Sequence, residues 1–157
     1  MTVQTCIVFP LKTSADNLGY TYFGISSSAL LYKYVFFLFL ECKNYEILSS
    51  ADRKMTHGSS PLLCDDSLAA GWYRFLRAAG VKMPTSSISV HRCGTCFPGW
   101  LNGIHPEEYE GNVTRQACFN FQTCCQFFYN IQVRNCSGNY VYYLRKTICH
   151  ARYCGTA

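Results

Sequence analysis

The sequence predicts a mainly β fold: a small, disulfide-rich domain of short strands and hairpins with little helix. Three observations point there. Cysteine supplies 11 of 157 residues, nine of them between Cys64 and Cys154, a density found in chains that cross-link a small core. Apolar and polar residues alternate with period two across Gln126–Arg134, as on a half-buried strand. From residue 42 onward no segment keeps a helical period for more than two turns, and only the Ser67–Ala79 window has room for a short helix. The length suits one domain with an appendage.

Charged residues make up 15% and aromatics 16% of the chain, a balance that suits a compact core supported by covalent links. The net charge of +5 is scattered. No Lys/Arg run exceeds two residues (Arg53-Lys54, Arg145-Lys146), so the positive charge reads as a solvated surface and no nucleic-acid partner is expected.

Residues 1–41 differ in texture from the rest. Val3–Pro10 is a short apolar piece, and Thr13–Ser28 is polar with no period. Ala29–Leu40 is an apolar run containing Lys33. A membrane-spanning helix needs about 20 apolar residues, so no stable span is expected. Tyr34–Leu40 has the size of a signal-peptide core. The segment is read as a degraded or wrongly assigned signal region, with a buried strand or helix as the alternative.

The remainder, 42–155, reads as one cysteine-rich β domain. Gly58-Ser59-Ser60-Pro61 is a loop. Gly71–Phe75 is rich in β-favouring aromatics. Ala78-Ala79-Gly80 and Met83–Ser87 are turn material, and Ile88–His91 alternates like a strand. Cys93–Pro106 is dense in Gly and Pro and reads as a turn. Glu107–Glu110 is acidic and exposed, and Val113–Cys118 is a short strand. In Gln126–Arg134, Phe127, Tyr129, Ile131 and Val133 share one face. Cys136–Asn139 turns the chain and Tyr140–Leu144 returns, which makes a β-hairpin. Trp72, Tyr73, Phe75, Trp100 and Leu101 are expected in the core.

Catalytic and metal readings are weak. Cys93-x-x-Cys96 has the spacing of half a zinc site, and a second half would have to come from Cys124-Cys125 or Cys149 and Cys154. Neighbouring cysteines point to opposite faces of a strand, which makes them poor joint ligands. A redox C-x-x-C requires a following helix, and none is indicated. His57, His91, His105 and His150 lie in no nucleophile-and-base frame, and His105-Pro106 reads as a turn. Asp65-Asp66 and Glu107-Glu108 read as solvated. No catalytic residue, metal or cofactor is expected. Asn112-Val-Thr114 and Asn135-Cys-Ser137 are both N-glycosylation sequons. Asn112, after Gly111, is the better placed, and Asn135 precedes a cysteine.

An ordered set of residues then resembles a known family. It runs through Gly71–Phe75, Met83-Pro84-Thr85, Arg92–Thr95, Pro98–Gly103, His105-Pro106, Arg115, Cys118, Cys124-Cys125, Val133–Cys136, Tyr140–Tyr142, Leu144, Cys149 and Tyr153-Cys154. Together these are similar to the extracellular eight-cysteine domain, ten in its extended form, of uromodulin and its relatives. Cys42-x-Asn44-Tyr45-x-x-Leu48 resembles the start of the extended form. In one departure, Ser87 stands six residues before Cys93 where the family carries a cysteine, and Cys96 is new.

The resemblance implies the pairs Cys42–Cys136, Cys64–Cys149, Cys93–Cys154 and Cys118–Cys125, and leaves Cys96 to Cys124, with Cys6 odd. It also implies a secreted or cell-surface, glycosylated, non-catalytic module for adhesion or recognition. Its partner would be an extracellular protein or glycan, and the chain would belong to a longer modular protein. The competing expectation is an intracellular structural zinc domain using Cys93, Cys96, Cys149 and Cys154.

Overall fold

The computed structural model describes residues 40–157. The readings of Val3–Pro10, Cys6, Thr13–Ser28 and Ala29–Leu40 up to its last residue lie outside the described residues. Within them, strands β1 (Glu46–Leu48), β2 (Gly71–Phe75), β3 (Phe97–Asn102), β4 (Asn112–Phe119), β5 (Phe127–Asn135), β6 (Tyr140–Leu144) and β7 (Ala151–Tyr153) form one sheet in the order β1-β2-β6-β5-β4-β3-β7. Helical structure among the described residues is confined to 3-10 turns of three residues, such as Arg77–Ala79 and Glu108–Glu110. The fold is mainly β, as the cysteine density and the period-two pattern predict.

The centre of the sheet is antiparallel and its two edges are parallel pairs. β4 and β5 share the longest ladder, from Asn112↔Arg134 to Phe119↔Phe127. β5 returns as β6 through Ser137 and Gly138, whose φ angles of 54° and 85° suit a primed hairpin turn. β1 runs parallel to β2, and β7 parallel to β3. The far ends approach each other: Lys54 bridges to Gly155, and a Cβ on Gly155 would lie 2.1 Å from the Ala79 carbonyl oxygen, just past β2.

Alternation sorts the side chains. Tyr73, Phe75, Leu101, Ala117, Phe119, Ile131, Val133, Tyr142 and Leu144 point inward and form the main core with Met83 and Tyr153. Phe128, Asn130 and Gln132 take the solvent side of β5, the division expected from a period of two. A second, smaller cluster of Ile88, Cys93, Trp100, Cys118 and Cys154 packs apart from the main core. Its strand residues share a face, since Trp100 pairs with Cys118 and alternates with Leu101.

Three expectations change. Trp72 alternates with the buried Tyr73 and so faces outward, where it meets Tyr143 edge-on at 5.6 Å. Ile88–His91 joins no strand: Ile88 is buried, but its carbonyl accepts from the Asn120 side chain at 2.7 Å, and His91 turns the chain at φ 60°. The Gly/Pro-rich stretch is partly a strand. Pro98 precedes the ladder of β3 with β4, which begins at Gly99, so its missing N–H costs no bond there. Gly99 is needed because a Cβ would stand 2.7 Å from the Phe119 ring. No side chain other than hydrogen fits beneath that ring.

Candidate functional site

Two disulfides pack beside β3. Cys93 and Cys154, both fully buried, are bonded across 61 residues, so the entry to β3 is tied to the end of β7. Cys118 and Cys125 are bonded across the β4–β5 turn, and Cys42 is bonded to Cys136 at the β5–β6 turn. Trp100 packs with the first two of these bonds, and its Nε1–H donates to the Cys124 carbonyl at 2.9 Å.

Cys96 is a free thiol, whereas Cys124 is disulfide-bonded, so the expected Cys96–Cys124 pair is not formed. The Cys124 sulfur is already committed to another bond, which leaves Cys96 as a thiol. The Cys93–Cys154 bond also removes two of the four ligands of the zinc arrangement considered from the sequence.

Cys64 is half-buried and Cys149 exposed, with their sulfurs 3.8 Å apart. A carboxylate oxygen of Asp66 joins them within 4.8 Å. The hydrogen bond with Cys64, helped by the Asp66 charge, holds the Cys149 thiol above its ordinary range. Cys149 is therefore protonated at neutral pH and is a poor nucleophile.

Sequence reasoning missed a buried charge cluster beside this hub. Asp65, read as solvated, is 3% exposed, whereas its neighbour Asp66 is exposed. Asp65 accepts two bonds from Arg53 and one from the Tyr153 backbone N–H. Arg152 lies alongside, paired with Asp52 at 2.9 Å. Burial opposes the charge on Asp52, but the Ser50 hydroxyl and Arg152 still hold its carboxyl below the usual range. Two cations and two carboxylates thus balance one another, which is the condition for burying such groups. The adjacent acidic pair could not reveal which carboxylate turns inward.

His105 is largely enclosed. The Tyr142 hydroxyl accepts from the Met83 N–H at 2.9 Å and is hydrogen-bonded with His105 Nε2 at 2.8 Å. Burial, with Lys82 and Arg115 nearby, lowers the imidazole pKa to about 4. A neutral ring hydrogen-bonded to a buried tyrosine is a packing element, and among the described residues no nucleophile is bonded to it.

The two sequons have different settings. Asn112 opens β4 and is exposed, with Thr114 exposed on the same face. Asn135 is 7% exposed, and its amide is used at both ends: Nδ2 donates to the Pro106 carbonyl at 3.1 Å, and Oδ1 accepts from the Gly138 N–H at 2.8 Å. Beside the Cys42–Cys136 bond lies a groove of about 410 Å³, lined by Lys43, Tyr45, Arg74, Glu108, Ser137 and Asn139 among others. There the Arg74 guanidinium sits over the Tyr45 ring and also bonds Asn139. No helix among the described residues is long and apolar enough to cross a membrane.

Comparison with known proteins completes the picture. The model of the uromodulin-like cysteine-rich domain family matches residues 73–155. The rat pancreatic secretory granule membrane major glycoprotein GP2 is 42% identical over 151 residues, covering 92% of this chain and 27% of that protein. The human protein of that name is 38% identical over 116 residues, covering 72% of this chain and 21% of its own length. Mouse uromodulin is 40% identical over 116 residues, covering 72% of this chain and 18% of its own. The chain therefore spans less than a third of the length of each of these relatives.

Proposed function

Because the chain belongs to the uromodulin-like domain family, we propose that residues 42–155 form a non-catalytic extracellular glycoprotein module that serves adhesion or recognition. The observation that carries this reading is the covalent framework. Cys42–Cys136 and Cys93–Cys154 join residues 94 and 61 apart, and such bonds persist in oxidising compartments. Two relatives are named as secretory granule glycoproteins, which agrees with that setting. Cys64 and Cys149 are a natural further pair there, since closing 3.8 Å to a bond needs only a small side-chain adjustment.

The partner is an extracellular protein or glycan. The groove beside Cys42–Cys136 supports this, because it sets an aromatic ring and a planar guanidinium next to hydroxyl and amide groups, a mixture that suits polar, hydroxyl-rich ligands. The module belongs to a longer protein, and the segment ahead of Glu41, which pairs with Arg134 in the folded module, is a degraded or wrongly assigned signal region.

Expression of the whole chain in secreting cells tests the reading. Secreted material should lack the N-terminal segment on N-terminal sequencing. Its intact mass should rise by two hydrogens per bridge on reduction and should not change with chelator. Retention inside cells, or a chelator-sensitive metal adduct at Cys64, Asp66 and Cys149, would overturn it.

A further inference from the structure

We propose that Asn112 carries the N-glycan of this domain and that Asn135, although it heads an equally valid sequon, carries none. This rests on the secretory reading above and goes beyond it by assigning the modified atom.

N-glycosylation bonds the anomeric carbon of an oligosaccharide, delivered on a lipid pyrophosphate, to the asparagine Nδ2. The amide loses one proton and the lipid pyrophosphate leaves. The acceptor meets the transferase before folding is complete. What decides occupancy in secreted material is therefore whether the fold can close around the sugar-bearing amide.

At Asn112 it can. The residue is exposed at the start of β4, and the preceding Gly111 has open space where a Cβ would stand. Its Nδ2 donates to Glu41 Oε1 at 3.3 Å. A glycosylated amide keeps one N–H, so that bond survives. Thr114, the second recognition residue, stands exposed two positions along on the same face.

At Asn135 it cannot. Nδ2 is buried against the Pro106 carbonyl, and Oδ1 is committed to the Gly138 N–H inside the β5–β6 turn. The next residue, Cys136, is bonded to Cys42. A sugar on this nitrogen would have to displace the Pro106 segment and would leave buried polar groups without partners. The amide serves as a structural clamp.

The placement also fixes what the glycan covers. Across the sheet, Asn112 pairs with Arg134, and Thr114 pairs with Gln132, which in turn pairs with the exposed Tyr143. With strands about 4.8 Å apart, the sugar rises from the solvent side of the sheet within reach of Tyr143 and away from the Cys93–Cys154 hub.

The test expresses the full chain behind a heterologous signal peptide, so that translocation is independent of residues 1–41. Secreted protein is then digested with peptide-N-glycosidase in ¹⁸O water, and the labelled aspartate is located by peptide mapping. The expected result is label at position 112 only. Asn112→Gln and Thr114→Ala should each abolish the gel shift on deglycosylation. Ser137→Ala, which destroys the second sequon but keeps the Asn135 clamp, should leave the shift unchanged. Label at position 135, or a shift that survives Asn112→Gln, overturns the assignment. So does secreted protein without any glycan. Failure of the extracellular reading would appear separately, as intracellular retention of the chain carrying its own N-terminus.

Discussion

Arg53 and Asp65 meet as a fork on a carboxylate inside the molecule: Nη1 donates to Oδ2 at 2.9 Å and Nη2 to Oδ1 at 2.6 Å. The same carboxylate takes the Tyr153 N–H, and the same arginine donates to the Tyr153 carbonyl. One ion pair thus holds the loop before β2 against the last strand. Asp65→Asn would leave Arg53 and Arg152 facing fewer negative charges in a buried setting. It should cost about 3–5 kcal/mol, read as a lower urea midpoint with an unchanged slope.

His105 gives the stability a pH dependence in mild acid. Its folded pKa is lowered to about 4 from an ordinary 6.5. Between these values the unfolded chain binds the proton and the folded one does not. Stability therefore rises with pH across this window and is lost as pH falls from 6.5 toward 4, by at most about 1.4 kcal/mol per pH unit. Thermal melts at pH 6.5, 5.5 and 4.5 should show the decline, and His105→Gln should flatten it. A slope unchanged in that variant would place the effect elsewhere.

Trp100 packs among the cysteines of two disulfides and makes one polar bond. Trp100→Phe keeps an aromatic ring and loses the indole donor, for a cost of about 1 kcal/mol. Trp100→Ala also empties the site and should cost about 3–5 kcal/mol. Equal losses from both variants in denaturant titrations would mean that the bond to Cys124, and not the ring volume, dominates.

Gly99→Ala should destabilise by about 1–3 kcal/mol through overpacking, because the added methyl meets the Phe119 ring at 2.7 Å and the Arg152 carbonyl at 2.9 Å. A paired Phe119→Leu substitution should recover part of the loss, as a double-mutant cycle would register.

The cysteines should divide by accessibility. After mild reduction of the folded protein, iodoacetamide should modify Cys64, Cys96 and Cys149 well before Cys93, Cys118 and Cys154, which are fully buried. Mass mapping against time reads the order. Early modification of Cys93 would mean that the hub opens more readily than its burial implies.

Much of the fold was legible because its strongest signals are local. The alternation that sends Ile131 and Val133 inward and Asn130 and Gln132 outward follows from the two-residue period of a strand. The turn between β5 and β6 follows from Ser137-Gly138. The short edge strands were not legible. β1 and β7 have three residues each and exist only because β2 and β3 lie beside them. β3 was hidden behind Pro98 and Gly99, which read as turn residues until Phe119 and the end of β7 are seen packed against them.

Residue type and near spacing were enough to establish the β class, the cysteine-rich character, the central hairpin and the family resemblance. They could not say which of two adjacent aspartates is buried, which of two sequons has an exposed asparagine, or that Trp72 faces out while Trp100 faces in. Those outcomes needed the folded chain, and for one cause. A polar or aromatic group is placed by the partners that satisfy it, and those partners are far away in the sequence: Tyr153 for Asp65, Pro106 for Asn135, Cys124 for Trp100.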